Sequence, residues 1–135
     1  MSGQNAQQVR EALMAKLLQA FPEMSAELRL DIQNRLQQQD LTTLQNDTAV
    51  MVEKLIREAD SLLSLLFMAS QNEGMREMVK RKFSAEVAGA DGGDLALRVM
   101  RDHAATTIDE DGIQQDFLAF LDEILEAATA RNNQS

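Results

Sequence analysis

The sequence predicts an all-α fold, a compact bundle of five or six helices with a long central helix. Apolar residues recur at steps of three and four along nearly the whole chain. No segment alternates polar and β-branched residues as a half-buried strand does. The breaks fall at Pro22, at residues 72–74 and in "GADGGD" (89–94), which holds three of the six glycines. At 135 residues the chain fits one domain with its own core. Residues 1–5 and 130–135 are expected as disordered tails.

The first helix follows from Val9, Leu13 and Leu17, spaced by four, with Met14, Leu18 and Phe21 widening the stripe. Pro22 ends it or begins the next helix, because the residue before a proline avoids the α region. Ser25 is a good N-cap for a second helix with Leu28, Ile32 and Leu36 on one face. That helix is expected to run out in "QQQDLTTLQND", which is polar and turn-like. Asp47 or Thr48 then caps a long third helix to about Gln71. Its first half is amphipathic, with Met51, Val52, Leu55, Ile56 and Ala59 on one side. Its second half, "LLSLLFMA", is apolar on almost every side, and such a helix must be covered on every side.

The fourth helix, "MREMVKRKFSAEV" (75–87), has Met75, Val79, Phe83 and Val87 as its expected core face. Asp94 is the expected N-cap of a fifth helix carrying Leu97, Val99 and Met100. Thr107 and Glu110 have capping-box spacing before the last helix. Ile113, Phe117, Phe120, Leu121, Ile124 and Leu125 make its inward face.

Composition bounds the function. Aromatics are scarce, with five Phe and no Trp or Tyr, so aliphatic residues and eight Met do the packing. The absence of cysteine excludes disulfides, zinc–thiolate sites and a Cys nucleophile, and it fits a reducing, cytoplasmic location. The apolar run 61–69 is far short of the roughly 20 residues a membrane span needs, so no membrane partner is expected. A formal net charge of −9 opposes broad affinity for nucleic acid or anionic lipid.

No catalytic, metal-binding or cofactor motif stands out. His103 is the only histidine. A His phosphotransfer domain is also a small helical bundle with one exposed histidine, but its Lys and Gly after the His are replaced here by Ala104, Ala105, Thr106 and Thr107. Interaction of His103 with the last carbonyls of its helix is the simpler reading. Thr106 and Thr107 lack a glycine-rich elbow and read as the cap of the next helix. One histidine cannot supply the two Glu-x-x-His motifs of a di-metal bundle. "IDEDG" fails as a calcium loop, because Leu118 falls where the bidentate acid is required.

Two charged tracts are candidate partner-binding surfaces. Arg76, Lys80, Arg81 and Lys82 cluster on the fourth helix. From Asp102 to Glu126 there are eight acids and no Lys or Arg, and Asp116, Asp122 and Glu123 represent the acidic outer face of the last helix. The two tracts could also pair with each other. Glu77 and Arg81 have the favourable helix-pair spacing. Leu62, Leu63, Leu65, Leu66, Phe67 and Met68 form the candidate oligomer interface, and a homodimer is expected from the apolar surface they must cover. The leading expectation is a non-enzymatic interaction protein, an acidic adaptor, chaperone-like or regulatory factor, in the style of a bacterial or phage accessory protein. The alternatives are a DNA-binding regulator using the fourth and fifth helices, and an acidic inhibitor mimicking nucleic-acid charge.

Overall fold

The computed structural model describes residues 5–108 and 111–133, with side chains on the last helix from Gly112 onward. It is all-α, with no strand among the described residues. The helices are α1 (Ala6–Ala20), α2 (Ala26–Gln37), α3 (Leu41–Thr43), α4 (Ala49–Ser70), α5 (Glu73–Gly89), α6 (Gly93–Thr107) and α7 (Asp111–Asn133). A π-helical turn, Leu44–Thr48, joins α3 to α4 without a break, so the three form one continuous helical run. Contacts divide the chain into two compact units, one ending at Ala59 and the other beginning at Asp60. The boundary falls inside α4.

In the first unit α1 packs against α2 and the π-helical turn. The Asn5 side chain accepts from the Gln8 amide while Gln8 reaches back to the Asn5 amide, a capping box that starts α1. Asn5 is therefore a cap rather than part of a disordered tail, and residues 130–133 likewise continue α7. Residues 1–4, 134 and 135 lie outside the described residues. Ser25 caps α2 as expected. Val9, Leu13, Met14, Leu17, Phe21, Met24, Leu28, Ile32 and Leu36 are buried. Arg10 donates from Nε to the Leu36 carbonyl at 2.8 Å and from Nη2 to that of Gln39 at 2.7 Å, satisfying carbonyls at the end of α2.

The stretch read as polar and turn-like is mostly helical. The break is confined to residues 38–40, and Asp40, not Asp47 or Thr48, provides the N-cap by accepting from the Thr43 amide at 2.8 Å. Leu44 is fully buried and anchors the run. The Thr43 amide holds the exposed Asp40 carboxyl below its ordinary pKa.

In the second unit α7 packs most extensively against α5 and next against α6. Phe117, Phe120, Leu121, Ile124 and Ala128 supply its buried face. Asn72 caps α5, so Gly74 lies inside the helix and not in a break. The α5–α6 turn is shorter than expected. Gly92 takes the left-handed conformation with φ 76°, and α6 starts at Gly93, ahead of Asp94. A Cβ on Gly93 would collide with the Val87 carbonyl, so only glycine fits this close approach. Thr107 is the last residue of α6, and Glu110 lies outside the described residues.

Candidate functional site

The basic tract on α5 meets the acidic face of α7 within the second unit. Arg76 sits over the Phe120 ring, its guanidinium carbon 4.9 Å from the centroid. Its Nη2 donates to Glu123 at 2.7 Å, and Nη1 lies 3.4 Å from both Asp116 and the Ser70 carbonyl. Lys80 reaches Glu77 at 3.1 Å and Glu123 at 3.4 Å. Arg101 of α6 grips both oxygens of Asp122, at 2.6 and 3.2 Å. Five of the expected partner-binding residues, Arg76, Lys80, Asp116, Asp122 and Glu123, are thus engaged with neighbours in the same unit. Arg81 and Lys82 are exposed. Glu77, the expected helix partner of Arg81, pairs with Lys80 instead.

This pairing moves the packed face of α5. Met75 is 36% exposed and Val79 and Phe83 are half-buried, whereas Ser84 and Val87 are buried and the Arg76 side chain is only 20% exposed. The small Ser84 returns its hydroxyl proton to the Arg81 carbonyl at 3.1 Å. The hydrogen bond from Arg76 holds the Glu123 carboxyl below its ordinary value of 4.5, with Lys80 adding to the effect. The same bond raises the Arg76 pKa, and Asp122 raises that of Arg101.

A carboxylate whose folded pKa is lowered contributes stability that is present above its unfolded pKa. That stability is lost as pH falls through the lowered folded value. Acid titration of the thermal midpoint should therefore show a loss below the ordinary Glu123 value of 4.5. Glu123→Gln should reduce the difference between neutral and acid midpoints. An unchanged difference in that variant would mean Glu123 contributes nothing to the acid limb.

The second feature is an apolar groove of about 460 Å3 between the later half of α4, α6 and α7. Leu63, Phe67, Ala104, Ile108 and Phe117 give its apolar lining, with Ser64, Met68 and Thr107 beside them and Asp60 at one end. Phe67 meets Phe117 edge-on, with centroids 5.4 Å apart and rings at 85°. Asp60 and Ser64 fall one helical turn apart, a polar notch in an otherwise apolar run. Along α4, Leu63 and Leu66 are buried, Leu62 and Phe67 are half-buried, and Leu65 and Met68 are 54% and 64% exposed. The candidate oligomer interface is therefore divided, with Leu63 and Leu66 in the core and Leu65 and Met68 facing solvent.

His103 stands beside this groove. Its Nε2 lies 3.0 Å from Asp60 Oδ1, within hydrogen-bond distance. The His side chain is 19% exposed and that of Asp60 90%. The imidazole thus meets a residue 43 positions earlier in the chain. Thr106 and Thr107 donate to the carbonyls of His103 and Ala104 in the last turn of their own helix, rather than capping the next one, and neither hydroxyl proton is on the imidazole. The Gln114 amide donates to the Ala105 carbonyl, and to that of Ile108 at 2.9 Å, closing the end of α6.

Compared with models of known protein families, with curated proteins and with solved structures, the chain matches none.

Function must therefore be argued from these surfaces. The groove was not legible in the sequence, because it joins residues up to 57 positions apart, from Asp60 to Phe117. The one local signal was the Asp60–Ser64 notch. Among the described residues, no group of three or more His, Cys, Asp or Glu could hold a metal ion. Nor is any helix there long and apolar enough to cross a membrane. In the first unit a second hollow, about 430 Å3, is lined by Lys16, Ala20, Glu53 and Ile56 among others. Lys16 and Glu53 bridge across it at 3.4 Å.

Proposed function

We propose that the chain is a non-enzymatic protein-interaction module, an acidic adaptor, chaperone-like or regulatory factor. Its contact surface lies on the second unit, around the solvent-facing side of α4. The observation that carries this reading is the exposure of Leu65 and Met68 next to an open apolar groove. Apolar surface of this kind gains free energy when a partner removes it from water, at roughly 25 cal/mol per Å2. Methionine at the edge suits a contact that must adapt to its partner.

The DNA-binding alternative loses support because Arg76, Lys80 and Arg101 are committed to carboxylates. Phosphates would have to displace those carboxylates first. The nucleic-acid mimic loses support because the negative charge of Asp116, Asp122 and Glu123 is offset by Arg76, Lys80 and Arg101 beside them.

Affinity capture from the native cell, with and without nuclease, tests the reading against a Leu65→Asp/Met68→Asp variant. A protein retained by the wild type, indifferent to nuclease and lost from the variant, is the expected result. Retention of nuclease-sensitive nucleic acid alone would overturn it. So would a protein partner held equally by the variant.

A further inference from the structure

Resting on that reading, we infer that the α4/α6/α7 groove takes a basic amphipathic helix from a partner protein. The shape argues for a helix. The groove runs between helices, and the described residues include no strand edge onto which an extended peptide could add. An amphipathic helix lays its apolar face into such a groove at steps of three and four. The lining of Leu63, Phe67 and Phe117 would receive its aliphatic side chains, and Met68 at the rim can adjust to their size.

The charge argues for a basic one. Asp60 is the one Asp, Glu, Lys or Arg among the groove's described lining residues, and its carboxylate is almost fully exposed. Residues 60–135 together carry fourteen Asp and Glu against seven Lys and Arg, a formal charge of −7. A second copy of this unit would bring the same negative charge to the interface, and nucleic acid or anionic lipid would be repelled likewise. Lys or Arg flanking the apolar face of an incoming helix would meet Asp60 and escape that repulsion.

While Asp60 shares its carboxylate with the imidazole, part of its acceptor capacity stays free, because a carboxylate offers about four lone-pair sites.

The test uses the full chain and a labelled synthetic helix of leucine and lysine arranged for one apolar face. A peptide of the same composition in scrambled order is the control for charge alone, and a leucine–glutamate helix is the control for apolarity alone. Fluorescence polarisation should show saturable binding of the leucine–lysine helix, with both controls weaker by about tenfold or more. Asp60→Arg and Ser64→Arg, which reverse and fill the groove, should abolish binding. Glu86→Arg, an equal charge change on an exposed α5 position, should keep it. Circular dichroism of each variant confirms that the fold is intact.

Equal loss in Asp60→Arg and Glu86→Arg would reduce the effect to bulk charge and overturn the inference. Equal binding of the scrambled peptide would do the same. Absence of peptide binding, with a protein still captured through Leu65 and Met68, overturns the basic-helix occupant while the interaction reading stands. Light scattering that finds a dimer of the wild type, broken by Ser64→Arg, would make the occupant a second copy instead.

Discussion

Replacing Phe120 by alanine is expected to lower the unfolding free energy by about 3–5 kcal/mol. The side chain is fully buried on the face of α7 that meets α5 and α6. Its removal forfeits the transfer free energy of the ring and leaves a cavity that close-packed helices close only in part. It also removes the ring on which the Arg76 guanidinium rests, a contribution of about 0.5–2 kcal/mol where the cation is partly desolvated. Urea denaturation followed by far-ultraviolet circular dichroism measures the loss. Met78→Ala on α5 is the control. Met78 is mostly exposed, and its loss should cost no more than about 0.5 kcal/mol. Equal effects of the two substitutions would contradict the packing described for α7.

Leu44→Ala is expected to cost about 2–5 kcal/mol. Leu44 lies in the π-helical turn before α4, has no exposed surface, and belongs to the part of the first unit that α1 packs against. A leucine in a solvated turn would lose almost nothing on truncation, so this substitution separates the two descriptions of residues 40–48. Gln45→Ala, at the neighbouring exposed position, should stay within about 0.5 kcal/mol. Phe120 and Leu44 belong to different units. If unfolding resolves into two transitions, each substitution should move a different one.

The misreading of that segment has a local cause. "QQQDLTTLQND" holds only two apolar residues, Leu41 and Leu44, and two residues do not make a period. The polar side chains there do other work. Asp40 caps the helix, and Thr48 donates to the Gln39 side chain across the break. Asn72 shows the same limit. Glycine beside it suggested a break, whereas its carboxamide oxygen accepts from the Met75 amide and begins α5.

The fold class and most inward faces were legible in the spacing of apolar residues. Val9/Leu13/Leu17, Leu28/Ile32/Leu36, Leu97/Val99/Met100 and Phe117/Phe120/Leu121/Ile124 are buried as their spacing requires. Helical periodicity is a local property, carried by residues three and four apart, so it is readable without knowing what each face meets. What the charges do depends on how the helices pack. On α5 the stripes Met75/Val79/Phe83 and Arg76/Lys80/Ser84 lie about 100° apart, and either could have been the packed one. Acceptors 40 and 47 residues later, Asp116 and Glu123, drew the arginine stripe toward α7 and left Met75 and Met78 toward solvent. The groove and the Asp60–His103 pair arise in the same way, from groups far apart in sequence whose meeting depends on how helices pack.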